Sequence, residues 1–377
     1  MAYTENVTGS RRLAARESAR GSFAEAAETI ARISGQRLGN RQVEELAGRA
    51  AVDFDQFYAQ RPGHLSLAGE VLVLSYDGKG VLLRPQALRP ATAQAPARAT
   101  PKLATRISRG EKHQRKRMAE VGSVYDATPI SRTPEDILTP PGRPRPGPAR
   151  PRAHGTWLTA SITAAADEVI GQVFDEADRR DPAHHRRWVV LVEGNTHQIQ
   201  RTHAQARAHH VEVTIVIDFV HVIEYVWKAA WWLFDEGDPA AENWVRTQGL
   251  RILHGHRDEV VTTLRRSAAD LHPSQRAGAQ ACARYLTNTG PSLDYRSALT
   301  QGWPIATGVI QGACRHLIKD RMDLTGARWA LPSTEAILKL RALLSNDDFD
   351  DYWDYHLTQE KHRIHEANYQ NRVIPPV

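Results

Sequence analysis

Three apolar runs in this chain each end on an acid, and that recurrence narrows the possible folds more than any other feature. Val71-Leu-Val-Leu-Ser-Tyr runs into Asp77-Gly, Trp188-Val-Val-Leu-Val into Glu193-Gly, and Val213-Thr-Ile-Val-Ile into Asp218. Short continuous apolar runs of this kind fit buried strands. Helical patterns lie between and after them, over Ser161 to Arg180, Gln198 to Ala208 and Val220 to Phe234. Strand alternating with helix implies an α/β layer. A carboxylate at a strand end can hold a metal ion, and metal-assisted phosphoryl chemistry needs further carboxylates that folding brings beside the first. Asp77-Gly-Lys-Gly followed by Val81-Leu-Leu reads as a turn between two strands within Val71 to Arg84, with a third strand over Arg117 to Asp126.

The 377 residues suggest two or three domains, and 41% hydrophobic content suffices for a core. The 49 Lys and Arg exceed the 43 Asp and Glu by six, an excess that favours a polyanionic partner. Cys282 and Cys314 are the only cysteines, too few and too far apart for a disulfide framework or a structural zinc site, which fits a reducing, cytoplasmic setting. The N-terminus lacks an apolar signal core, and Asp218, His221, Glu224 and Lys228 interrupt the stretch Val213 to Phe234, so membrane insertion is not expected.

Near the N-terminus, Ser22-Phe-Ala-Glu25 is a capping box for a helix running to about Ile33. After Gly35-Gln-Arg-Leu-Gly39, Asn40 can cap a second helix from Arg41 to about Phe54, with Val43, Leu46, Ala47 and Ala50 as its apolar stripe. Helix, glycine turn, helix is helix-turn-helix spacing, in which Arg41 and Gln42 would meet DNA. A plain helical hairpin has the same spacing, and Glu44 and Glu45 are poor company for phosphates.

The run Glu111-Lys-His-Gln-Arg115-Lys116-Arg117 is a solvated face or a phosphate-binding segment, and its place between carboxylate strands favours the second. Residues 140–152, rich in proline and arginine, read as an extended basic connector. Ile223, Trp227, Trp231 and Phe234 recur at helical spacing and read as core; residues 235 to 290 read as helical and polar. His184-His185 and His209-His210 read as surface histidines, whereas His221 follows Asp218 by three at a helix start. Downstream, Ile310, Cys314, Leu317 and Ile318 form one helical stripe, and Gln311, Arg315 and Lys319 follow one another at four-residue steps beside it.

Several of these segments, taken in order, resemble the bacterial insertion-sequence transposases of the ISKra branch, in the mutator-like class of DDE recombinases. The resemblance is carried by Leu74-Ser-Tyr-Asp-Gly-Lys-Gly, Lys112-His-Gln-Arg-Lys-Arg-Met-Ala-Glu-Val-Gly, Asp218-Phe-Val-His and Gly302-Trp-Pro-Ile-Ala-Thr-Gly-Val-Ile. It continues through Cys314-Arg-His-Leu-Ile-Lys-Asp-Arg-Met to Gly326-Ala-Arg-Trp and covers the chain from about residue 10 onward. It implies an α/β, RNase H-like core with an all-helical insertion, preceded by a small helical domain. The implied division is 1–62 helical, 68–130 first core part, 131–155 connector, 156–234 second core part, 235–300 insertion and 301–377 last core helix with C-terminal helices.

By the same resemblance the family's catalytic Asp, Asp and Glu fall on Asp77, Glu193 and Gln311, with Asp218 and His221 in support. Asp77 and Glu193 would hold Mg²⁺ or Mn²⁺; Arg41, Gln42, Arg115, Lys116, Arg117, Arg315 and Lys319 would hold DNA. The implied partners are double-stranded DNA, as element ends and target, and further copies of the chain on the nucleoid. Two of the three catalytic positions depart from the pattern. Glu193 is one methylene longer than Asp, and Gln311 replaces a charge with an amide, so metal binding is expected to be weak and cleavage impaired. The alternative is a non-catalytic, transposase-derived DNA-binding or regulatory protein. Arg11-Arg-Leu-Ala-Ala-Arg-Glu-Ser falls inside what relatives carry as an N-terminal region, so a shortened recognition segment is also expected.

Overall fold

The computed structural model describes residues 2–63, 69–97, 116–139, 150–270, 272, 276–324 and 326–366. Four helices open the chain: α1 (Ala2–Arg20), α2 (Phe23–Ser34), α3 (Asn40–Ala50) and α4 (Phe54–Gln60). The sequence reading misses α1 because its buried face includes Ala14, Ala15 and Ala19, side chains too small to mark a stripe. At α2 the capping box forms, Ser22 Oγ accepting from the Glu25 amide at 3.1 Å and Glu25 Oε2 from the Ser22 amide at 2.6 Å. Expectation and structure part at both ends of α3. Gly39, not Asn40, precedes the helix, and Gln42 Oε1 caps it by accepting from the Gly39 amide at 2.9 Å. The helix stops at Ala50, and the chain turns before α4 where buried Asp53 is held by His356 Nδ1 at 2.6 Å and by Arg363 Nη2 at 3.0 Å.

The chain then builds one sheet. Its elements are β1 (Val71–Leu82), α5 (Pro90–Ala97), β2 (Lys116–Ala127), α6 (Pro134–Ile137), β3 (Ala153–Ser161), α7 (Ala166–Arg180), β4 (Trp188–Val192), α8 (Thr196–Ala208) and β5 (Val213–Ile217). The strand order is β3-β2-β1-β4-β5, with β1, β2 and β3 antiparallel and β1, β4 and β5 parallel. The α/β class expected from the acid-ended runs is therefore present, as a mixed five-stranded sheet.

Two expectations about these strands are corrected. Asp77 does not sit in a turn between strands: β1 is continuous for 12 residues and pairs Asp77 with Val121. Gly78 serves there as a strand glycine, since a Cβ on it would lie 3.0 Å from Met118 Cε and 3.2 Å from Glu120 Oε2, side chains reaching across from β2. The helix expected from Ser161 begins instead at Ala166, and Ser161 ends β3, a strand the sequence reading does not contain. Only its second half, from Trp157 onward, is buried, so its apolar pattern is short.

Helices cover both faces. By the alternation of a strand, Tyr76 and Asp77 point to opposite sides. Tyr76 Oη meets Thr202 of α8, while Asp77 meets Cys314. That second face carries α14 (Gly308–Ala313), reached through α9 (Phe219–Ala230), α10 (Pro239–Leu253), α11 (Arg257–Asp270), α12 (Ala277–Asn288) and α13 (Tyr295–Thr300). Following α14, a π-helical turn (Cys314–Lys319) leads into α15 (Asp320–Met322), then α16 (Leu331–Ser345) and α17 (Phe349–Lys361). The region from α10 to α13 is helical as expected, with α10 and α12 packed on α9. α16 touches α1, α3 and β3 and so ties the opening helices to the sheet.

Ile223, Trp227 and Phe234 pack against the core, but Trp231 does not belong with them: it is 52% exposed and stacks on Trp227. α9 ends at Ala230, and Trp231 leaves its register. Residues 140–149 of the connector and residues 111–115 of the charged run lie outside the described residues. Among the described residues no helix is long and apolar enough to cross a membrane, and Cys282 and Cys314 are both buried free thiols.

Candidate acidic site at the parallel strand ends

Parallel register brings the three acids into one row, Asp77 inside β1 just past its pairing with β4, and Glu193 and Asp218 just past the ends of β4 and β5. β1 pairs Ser75 with Leu191 of β4, and β4 pairs Val192 with Ile217 of β5. Continuing each register past its last pair sets Asp77 beside Glu193 and Glu193 beside Asp218, on strands about 4.8 Å apart. The Asp218 amide donates to Val192 O at 2.8 Å, which keeps the row together beyond β5.

The three side chains then diverge. Asp77 accepts from the Gly78 amide through Oδ1 at 2.7 Å and from Cys314 Sγ through Oδ2 at 3.6 Å. Burial, with the charge of Asp77 beside it, pushes the Cys314 thiol well above the usual cysteine range, so it stays a protonated donor. Asp218 is fully buried. Its Oδ1 accepts from the Val220 amide at 2.9 Å, capping α9; its Oδ2 accepts from Thr307 Oγ1 at 2.6 Å and from Gln311 Nε2 at 3.3 Å. The fold thus brings Gln311 to the acid row, where its amide donates to Asp218.

Glu193 is half-buried, and desolvation raises its carboxyl above the usual range, Asp77 adding to the effect, His221 opposing it and Asp218 and Glu224 adding again. Its carbonyl accepts from Tyr285 Oη of α12 at 2.8 Å. Gly194 is required next to it: φ is +89°, and a Cβ would fall 2.8 Å from that same Oη. Tyr285 stacks on Tyr225 with ring centroids 4.0 Å apart, and the His221 ring lies 5.8 Å from Tyr285 with Nδ1 3.7 Å from Glu224. His221 therefore belongs to an aromatic wall beside Glu193.

A cleft of about 410 Å³ opens here, lined by Asp77, Glu120, Glu193, His197, Gln198 and Arg201 among others. Glu120 pairs with Gly78 and so projects on the Tyr76 side of the sheet. Burial raises its carboxyl, with Arg89 opposing and Asp77 adding. Sequence reasoning does not bring Glu120, Thr307 or Tyr285 to this site, and it places Cys314 on a buried stripe without its contact to Asp77.

Of the residues expected to contact DNA, Lys116, Arg315 and Lys319 lie around the segment Arg315 to Asp323, and the other described ones have separate partners. Arg41 pairs with Glu45 at 3.2 Å, and Gln42 is the α3 cap. Lys116 pairs with Asp323 at 3.1 Å, and Arg117 donates to Ile162 O at 2.9 Å and Ala87 O at 3.3 Å. Arg315 lies 3.6 Å from Asp320, Lys319 is exposed, and Arg115 is outside the described residues. Of the four histidines read as surface residues, His185 and His210 are exposed, while His184 and His209 are part-buried and share one carboxylate: Asp178 lies 2.7 Å from His184 Nε2 and 2.5 Å from His209 Nδ1.

Among the described residues no group of three His, Cys, Asp or Glu side chains is arranged to hold a metal ion. The acid row explains this, since Asp218 turns away to cap α9 and leaves Asp77 and Glu193. No family model matches the sequence, and no curated protein matches it.

Proposed function

We propose that this chain is a DNA-binding protein on an RNase H-like core, of the ISKra-branch transposase type, and impaired in DNA cleavage and strand transfer. The observation that carries the reading is the alignment of Asp77 with Glu193 at the parallel strand ends, with Gln311 delivered to the same place and bonded to Asp218. An antiparallel β1-β2-β3 meander continued by parallel β4 and β5 supports the RNase H-like assignment. The excess of six cations supports a polyanionic partner.

When bound, Mg²⁺ would supply Lewis-acid stabilisation of a reacting phosphate, with Asp77 and Glu193 as its protein ligands. Those residues do not fit the two-ion set of the resembled family, because the third position offers an amide already donating to Asp218. Binding of DNA ends, alone or in oligomers with other copies, is the activity left to such a protein.

The test is fluorescence anisotropy with duplex DNA beside a nicking assay in Mg²⁺. Binding without nicking is expected, and Gln311→Glu with Glu193→Asp is the minimal change that could restore chemistry. Metal-dependent nicking by the unaltered protein that disappears in Asp77→Ala would overturn the impaired site. Absence of DNA binding would overturn the class.

A further inference from the structure

Two arginines are buried without a carboxylate at hydrogen-bond distance among the described residues. Arg321 is 5% exposed and Arg341 7%. Both donate to the carbonyl end of α1, Arg321 Nε to Ser18 O at 3.3 Å and Arg341 Nη1 to Ala19 O, while Arg341 Nη2 donates to His316 O in the π-helical turn. A helix C-terminus supplies about half a negative charge, less than two guanidinium groups require. Burial and the neighbouring Arg341 push Arg321 down to about 10, burial lowers Arg341, and burial and Arg341 lower His316.

Donors are also left over. Arg341 Nε, Arg321 Nη2 and Ser18 Oγ are buried and have no hydrogen-bond partner among the described residues. Beside Arg341 opens a cavity of about 350 Å³, also lined by Arg16, Arg20, His316, Asp347 and Asp350. Asp350 is held by Arg12 at 2.7 Å and lies 3.6 Å from Arg16; Arg20 pairs with Glu17 at 3.1 Å. Among the described residues Arg341 has no carboxylate at ion-pair distance, Asp320 acting on it only from farther away, and Asp347 is the remaining carboxylate of the lining.

We infer that this cavity is a binding site for a phosphate group, surrounded by Arg16, Arg20, His316 and Arg341. Phosphate matches the chemistry: several strong acceptor oxygens on one anion, suited to convergent guanidinium donors. The site joins α1 and α16 to the turn that follows Gln311, so its occupant would brace the helix presenting Gln311 against the opening helices. Inorganic phosphate and a DNA phosphodiester share this chemistry, and the site does not depend on the DNA reading.

Isothermal calorimetry of the full chain with sodium phosphate, against sodium chloride of equal ionic strength, tests it. Saturable binding of one phosphate per chain is expected. Arg16→Gln with Arg20→Gln changes only partly exposed or exposed side chains and should weaken it by about tenfold or more. Arg341→Lys, which keeps a charge and loses the guanidinium, should also weaken it, with circular dichroism checking the fold. No saturable heat up to on the order of 10 mM phosphate, a generous ceiling for a built site, would overturn the inference. So would unchanged binding in both variants.

A labelled duplex then distinguishes the sources. Weaker duplex binding in the double variant, with phosphate competing, supports the site with a DNA phosphodiester as occupant; unchanged duplex binding with lost phosphate binding supports it with free phosphate. Phosphate binding by a protein that does not bind DNA would sink the DNA reading and leave this site standing.

Discussion

The two ends of the sheet both bury acids, and they treat them differently. Where β1 begins, Asp126 is 1% exposed, opposite Leu72, and is held by Arg180 at 3.2 Å and Arg186 at 2.5 Å. Arg180 also holds Glu176 at 2.7 Å. Nearby Asp181, despite burial, stays below the usual carboxylate range because Trp188 Nε1 and the amides of Arg186 and His185 donate to it. At the other end, Asp77, Glu193 and Asp218 make no ion pair among the described residues. The partners of Asp77 and Asp218 are amides, a hydroxyl, a thiol and Gln311.

Acids neutralised by fixed arginines hold a fold together. Uncompensated acids at the carboxyl ends of parallel strands are disposed for a ligand, because the crevice lies there, where an antiparallel neighbour of β1 gives way to a parallel one.

Three measurements would break or sharpen that contrast. The largest effect should come from Arg180→Ala, which leaves Asp126 and Glu176 buried without it; denaturant unfolding should show a loss of about 3–5 kcal/mol. Asp77→Ala on the same scale should stay within about 1 kcal/mol of the parent. Comparable losses at the two positions would erase the distinction.

Next in size is Gln311→Glu. It exchanges a donor to buried Asp218 for a second carboxylate, and should cost about 1–3 kcal/mol at neutral pH, less in acid where the new group protonates. Added Mg²⁺ should return part of the loss in thermal melts. A neutral substitution would mean that the amide contributes nothing to holding Asp218.

The smallest effect has the opposite sign. Because the Glu193 carboxyl is raised in the folded chain, ionising it costs more there than in the unfolded chain. That cost is absent below the unfolded value of about 4.3 and complete above the raised folded value. Glu193→Gln should therefore melt about 1–2 °C above the parent at pH 7, with the gain vanishing toward pH 4. A gain of equal size at both pH values would show that charge is not its cause.

The N-terminal capping box, the apolar runs of β1, β4 and β5 with the acids that follow them, and the buried stripe of Ile310, Cys314, Leu317 and Ile318 were all legible in the sequence, since each is written within a few consecutive residues. The continuity of β1 through Asp77 was not, because Gly78 and Gly80 have the composition of a turn, and only pairing with Glu120 and Met118 holds them extended. α1 was hidden by its alanines and β3 by its half-exposed length.

By itself, then, the sequence determined most of the buried strands and helices, and that the apolar runs of β1, β4 and β5 each lead into an acid, Asp77, Glu193 and Asp218, of which only the last two lie past the end of their strands. Side-chain periodicity and burial are local properties of a chain. Which acids stand side by side, that Asp218 turns inward to cap α9, and that Gln311, Cys314 and Tyr285 reach the same place from distant helices were decided only by the tertiary structure. Strand register and helix docking depend on hydrogen bonds and packing between segments more than a hundred residues apart, and no local pattern encodes those pairings.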